Sequence, residues 1–175
     1  MIFTLDILEE YKITNYSKIN CNMSDGKTMT IADVMTKSVI SVDSSMNVNE
    51  AAKMMEDAKV GAIIVMENNS PVGIITDRDF SAKIVAHAYP ITTPVKQIMS
   101  SPMFSVGSDD SVRSAADLMH ERGIRKLPVI DNDAVVGIIT ASDIVNLLAV
   151  STEDDIRDIY FHSVVKIFTN YSPYN

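Results

Sequence analysis

Val72-Gly73-Ile74-Ile75-Thr76-Asp77-Arg78-Asp79 returns 64 residues later as Val136-Gly137-Ile138-Ile139-Thr140-Ala141-Ser142-Asp143, with Thr and Asp keeping their places. Val and the paired Ile suit a pleated, covered strand. Thr-x-x-Asp then supplies a hydroxyl cap and a carboxylate over the first turn of a helix. The stretch therefore predicts a buried strand running straight into a helix, twice. Thr76 with Asp79, and Thr140 with Asp143, can serve as helix caps alone. The same geometry can also hold a ligand. Open N–H groups at a helix start attract phosphate or another anion, and a carboxylate beside them accepts hydrogen bonds from two neighbouring sugar hydroxyls. A single Thr-x-x-Asp is more often a cap; two copies, each after a Gly-Ile-Ile strand, favour a ligand.

Outward from this stretch, the duplication extends over most of the chain. Residues 34–79 align with 98–143 without a gap, and 16 of the 46 pairs are identical, which marks an internal repeat. A short capped helix is expected from Thr30 to Met35. Its counterpart is expected from Thr93, with Pro94 at the first helical position and an end at Met99. Short β-like segments follow, Val39–Val42 and Met103–Val106. Asn47 and Ser111 are candidate caps of the next helices. Their apolar stripes, Val48, Ala51, Ala52 and Met55 against Val112, Ala115, Ala116 and Met119, keep helical spacing. Gly123 is placed to end the second of these helices. Strands then run from Ala62 to Met66 and from Leu127 to Ile130, and turns at residues 67–71 and 131–133 lead into the motif strands. Closing helices are expected from Asp77 to about Ala88 and from Ala141 to about Ala149. Each copy thus reads β-α-β-β-α. The fold class is α/β in the broad sense (α+β), two such repeats packed with pseudo-two-fold symmetry because one copy alone buries too little surface.

The division expected is an N-terminal extension over 1–28, a first repeat over 29–90, a second over 91–150, and a C-terminal helix and tail over 151–175. Met23 is an alternative start of translation. The tail keeps helical spacing at Ile156, Ile159, Tyr160, Val164, Ile167 and Phe168; it can lie on the protein's own core or meet a second subunit.

The chain has 175 residues, 46% of them hydrophobic, and a net charge of -8. That charge argues against binding a phosphate backbone, so no nucleic-acid partner is expected. The single cysteine, Cys21, can form neither an internal disulfide nor a thiolate metal site. No apolar run approaches the ~20 residues that span a bilayer. Asp6, Glu9 and Glu10 occupy the place of a basic signal region. A soluble protein of a reducing, cytoplasmic compartment is expected, with no membrane partner. His87, His120 and His162 show neither metal spacing nor a nucleophile beside them, so no catalytic residue, metal site or obligatory cofactor is expected.

The repeated pattern resembles a tandem pair of CBS domains, the module named after cystathionine beta-synthase, over about residues 29–149. The likeness is carried by Val34-Met35 with Ile98-Met99, by Gly61-Ala62-Ile63-Ile64-Val65, by Arg125-Lys126-Leu127-Pro128-Val129-Ile130-Asp131, and by the two Gly-Ile-Ile-Thr-x-x-Asp runs. The resemblance implies two clefts between the repeats that bind AMP, ADP, ATP or S-adenosyl compounds, and a homodimer in the form of a flat disc. On that basis Asp79 and Asp143 would hold ribose hydroxyls, with Thr76 and Thr140 facing sugar or phosphate. Ser38, Val39, Pro102, Met103 and Phe104 would pack on the base. Arg125 and Lys126 would meet phosphate, from a central position reaching both clefts, and Arg78 would assist the first copy, which has the uncharged Gly61 and Ala62 in their place. The expected function is an adenine-nucleotide sensor that regulates a partner protein; the alternative is a ligand-free interaction module. Family members are often fused to catalytic domains such as inosine monophosphate dehydrogenase, but this chain leaves no room for a barrel of ~250 residues, and no enzyme activity is expected.

Overall fold

Strand and helix periodicities alternate along the chain, and the computed structural model, which describes residues 29–148 and 165–169, realises them in that order. The described elements begin with α1 (Ile31–Val34), β1 (Ser41–Asp43), α2 (Val48–Ala58), β2 (Ala62–Glu67) and β3 (Ser70–Thr76). Next come α3 (Asp77–Asp79), which continues as a π-helical turn (Phe80–Val85), and a 3₁₀ turn (Val95–Gln97). The second half holds α4 (Val112–Arg122), β4 (Lys126–Asp131), β5 (Ala134–Thr140), α5 (Ala141–Leu148) and α6 (Val165–Thr169). The expectations for 1–28, for 149–164, including the end of the closing helix near Ala149, and for the final residues 170–175 lie outside the described residues.

The chain divides into two compact units. One contains Thr36–Val106 with Pro128–Ile138. Its sheet has the order β1-β2-β3, with β1 parallel and β3 antiparallel to β2. Both faces are covered, which is why the strands read as continuous apolar runs. Ile63, Val65 and Ile75 join Val48, Ala51 and Met55 of α2, together with Ile84, Val95 and Ile98. Ala62, Ile64 and Ile74 pack with Ile138, and Val39 and Met103 lie against that second cluster. The other unit holds the described residues through Met35, Gly107–Leu127, and the described residues from Ile139 on. Val112, Ala115, Ala116 and Met119 of α4 are all buried, and α4 packs on α5 and α6. Ile167 of α6 is buried and Phe168 exposed.

Each repeat's leading segment hydrogen-bonds to the body of the other repeat. The Ile31 and Ala32 amides donate to the carbonyls of Asp110 and Ser108. At the offset of 64, the Val95 and Lys96 amides donate to those of Met46 and Ser44. Thr36 and Ile138 exchange two bonds of 2.9 Å, and Ser100 and Ile74 exchange two of 2.9 and 3.2 Å. The Ile31, Ala32, Val95 and Lys96 bonds satisfy donors that helical starts otherwise leave open, and the two reciprocal pairs are isolated antiparallel bridges.

Three expectations need correction. The element after Thr93 is a 3₁₀ turn that begins at Val95, with Pro94 extended at its cap rather than at the first helical position. The Thr93 carbonyl is already taken by the Val48 amide, so the turn starts a residue later. The helix from Asp77 does not run as an α-helix to Ala88; it widens at Phe80, with Ala86 and Tyr89 amides bonding five residues back to Ser81 and Ile84, and Ala88 takes a positive φ of 54°. Finally, Met103–Val106 forms no strand, only a parallel bridge between Val106 and Val129. In the first copy the Ile64 amide extends the ladder by donating to Ile40. Its counterpart is Pro128, which has no N–H to give.

Candidate functional site

The two Thr-x-x-Asp runs fold as capping boxes. In the first, the Thr76 amide and hydroxyl each donate to Oδ2 of Asp79 at 2.8 Å. In the second, the Thr140 amide and hydroxyl donate to Oδ2 of Asp143, again at 2.8 Å. Both Thr residues end a strand and both Asp residues sit three positions into the helix, so chain direction alone aims each carboxylate back at its Thr.

Beyond this shared core the copies differ. Asp79 is buried, with 6% of its surface exposed. Its Oδ1 accepts from Lys83 Nζ at 2.8 Å and from the Ser100 hydroxyl at 3.3 Å. Lys83 also donates to the Ile98 carbonyl. The exchanged segment 98–100 thus brings two groups to the first-copy carboxylate. Gly73 makes room for it: a Cβ there would lie 2.6 Å from Met99 Sδ and 3.1 Å from the Ser100 carbonyl. Asp143 is half-buried, and among the described residues its carboxylate accepts hydrogen bonds only from Thr140. Burial pushes its carboxyl above the ordinary aspartate range, and the Thr140 hydrogen bonds pull it partly back.

The remaining candidates fall as follows. Pro102, Met103 and Phe104 follow Ser100, in the same unit as Thr76 and Asp79. Pro102 and Phe104 are exposed, whereas Met103 is partly buried on the Ala62–Ile64–Ile74 cluster. Val39 packs on that same cluster, and Ser38 is exposed just after the Thr36–Ile138 bridge. Arg78 is exposed at the start of α3. The Arg125 carbonyl accepts from the Ala141 amide at 2.9 Å, as Gly61 does from Asp77 at 3.3 Å. Arg125 is therefore tied by its backbone to the helix start that carries Thr140 and Asp143, and Lys126 follows it into β4. Lys83, Ser100 and Gly73 were not anticipated as site residues. Lys83 lies four residues past Asp79, the spacing of a helical ion pair, and Ser100 matches the hydroxyl of Thr36 at the repeat offset. Among the described residues, no group of three His, Cys, Asp or Glu side chains is placed to hold a metal ion. Nor is any helix among them long and apolar enough to cross a membrane.

A duplicated strand–cap–carboxylate unit with exchanged leading segments defines a class of paired repeat, and comparison with known proteins agrees. The family model for the CBS domain matches residues 31–86 and again 95–150. The chain belongs to the CBS-domain family and carries a tandem pair of these domains. CBS domain-containing protein YhcV of Bacillus subtilis is 35% identical over 114 residues, covering 65% of this chain and 81% of that protein. Protein MK0525 of Methanopyrus kandleri is 31% identical over 137 residues, covering 75% and 70%. Among solved structures, the CBS domain pair of protein MJ0100, in complex with 5'-methylthioadenosine and S-adenosyl-L-methionine, superposes with a TM-score of 0.65 at 28% identity, covering 70% of this chain and 98% of that one. The hexameric CBS-CP12 protein from bloom-forming cyanobacteria superposes with a TM-score of 0.63 at 31% identity, covering 67% and 69%.

Proposed function

We propose that this chain is a non-enzymatic sensor that binds an adenosine-containing ligand at its Thr-x-x-Asp sites and passes the binding state to a partner protein. The observation that supports this is Asp143. Burial disfavours its charge, only Thr140 hydrogen-bonds it among the described residues, and a pair of ribose hydroxyls is a donor set that would relieve it. In this reading Asp79 and Asp143 are the ribose carboxylates, and Thr76 and Thr140 face sugar or phosphate. Ser38, Val39, Pro102, Met103 and Phe104 contact the base. Arg125 and Lys126 attract phosphate, with Arg78 supplementing the first copy. The adenosine compounds held by MJ0100 make AMP, ADP, ATP and S-adenosylmethionine the ligands to try first. We place the protein in the cytoplasm as a homodimer, whose contact surface would draw on exposed apolar side chains such as Val145 and Phe168.

Calorimetry with these four compounds tests the reading. A hydrogen bond to a charged group is worth roughly 1.5–3 kcal/mol, so Asp143→Ala should weaken its site by at least about tenfold. AMP and adenosine should lose similarly, because both carry the ribose. Neutralising Arg125 and Lys126 should hurt ATP more than adenosine. No binding by any of the four at millimolar concentration would overturn the sensor and favour the ligand-free interaction module.

A further inference from the structure

We infer that Lys83 makes the two copies unequal: it competes with a sugar diol for the Asp79 carboxylate, so that the chain takes its first nucleoside at the Asp143 copy and a second, more weakly, at the Asp79 copy. This rests on the nucleoside reading above and adds to it the order of occupancy and the residue that sets it.

An ionised carboxylate offers about four acceptor positions on its two oxygens. At Asp79 four donors already occupy them: the Thr76 amide and hydroxyl on Oδ2, and Lys83 Nζ and the Ser100 hydroxyl on Oδ1. A ribose could bond Asp79 only by displacing Lys83 and Ser100. That exchange breaks a charge-assisted bond to a carboxylate that is 6% exposed, together with the lysine's bond to the Ile98 carbonyl. Two neutral hydroxyls replace an ammonium poorly in such a site, because bonds from an ionised donor are roughly twice as strong.

The second copy has no equivalent. The residue 64 positions beyond Lys83 is Leu147, which is buried and carries no charge. Among the described residues no cation pairs with Asp143, and the two donors to its carboxylate both end on Oδ2. The same side chain that a lysine neutralises in one copy is left to a ligand in the other. The reciprocal exchange of leading segments would otherwise make the copies alike, since Thr36 meets Ile138 as Ser100 meets Ile74.

The test titrates the full chain with AMP and, separately, with S-adenosylmethionine. Calorimetry should give one tight site per chain. Lys83→Met, with an unchanged circular-dichroism spectrum, should bind a second equivalent at least about tenfold more tightly than the wild type does. Amide chemical shifts in the wild-type protein provide a readout that needs no variant: the first equivalent should move Thr140–Asp143 and leave Thr76–Asp79 in place. Two equal sites in the wild type would overturn the inference and leave the sensor standing. So would a first equivalent that moves Thr76–Asp79, or a Lys83→Met variant that loses the tight site, since the lysine would then be a ligand contact. No binding by either probe to either protein would overturn the sensor reading itself.

Discussion

Lys59 and Gly123 are the same position in the two copies, and both take the left-handed conformation that ends a helix, with φ of 53° and 62°. For an L-residue that conformation costs roughly 1–2 kcal/mol, and glycine avoids it. Nothing lies within 4 Å of a Cβ built on Gly123, so an alanine there meets only the conformational penalty. Gly123→Ala should destabilise the chain by about 1 kcal/mol, whereas Lys59→Gly should stabilise it by about 0.5–1 kcal/mol. Urea unfolding of the two variants checks the opposite signs; the same sign for both would show that packing, not backbone conformation, governs the site. Asp143 gives a second residue-scale prediction. Its folded value lies above the ordinary 3.8, so in the window between the two the folded chain binds more protons than the unfolded one. The stability this group contributes therefore increases as pH falls through that window and is lost as pH rises through the folded value. Wild type should gain on Asp143→Asn as urea midpoints are followed from pH 7 to 4, and AMP affinity should fall over the same window as the acceptor is protonated.

At the scale of elements, β3 and the segment 98–100 are joined more closely than their pairing requires. Ile74 and Ser100 exchange backbone bonds, and Gly73 lets Met99 cross the strand in van der Waals contact. Gly73→Ala should force Met99 aside and strain the Ser100 carbonyl contact, at a cost of roughly 1–3 kcal/mol for overpacking. The same substitution should loosen the Ser100 hydroxyl from Asp79. Amide exchange at Ile74 and Ser100 should accelerate by more than the global loss of stability explains. An effect confined to global stability would mean that Met99 simply moves away. The hairpin turns are the opposite case, set by local chemistry. Asn68 and Asn69 take φ of 50° and 62°, and Asn132 and Asp133 take 49° and 62°. Asn and Asp tolerate such angles better than other side chains, and two in succession suit a two-residue hairpin.

For the whole molecule, binding and folding are linked. If the Asp143 site exists only in the folded chain, AMP at one hundred times its dissociation constant should add about 2.7 kcal/mol to stability per site occupied. Thermal unfolding with and without AMP measures this, and a tenfold weaker site in Asp143→Ala should cut the rise at the same AMP concentration to about 1.4 kcal/mol or less. Light scattering should give the mass of two chains at micromolar concentration; the mass of one would remove the dimer from the proposal.

The duplication, the strand–turn–strand order, the capped Thr-x-x-Asp starts and the αL end at Gly123 were legible in the residues themselves, whereas the αL end at Lys59 was not. Each depends on interactions within a few positions of the chain: apolar periodicity, an i to i+3 cap, a turn that asks for Asn or Gly. The Thr76–Asp79 and Thr140–Asp143 pairs belong to this local class, as the matching 2.8 Å bonds show. What only the tertiary structure decided is what reaches those pairs from elsewhere. Ser100 comes to Asp79 from 21 positions away, along a segment exchanged between the repeats. The single bridge at Val106 requires that segment to lie beside the strand holding Pro128, and the widened turn after Asp79 places Lys83 against both a carboxylate and the Ile98 carbonyl. Periodicity specifies which face of an element is apolar but not which element will cover it. The charge state and the partners of a buried carboxylate follow from that covering, so two motifs nearly identical in sequence acquire different electrostatic surroundings.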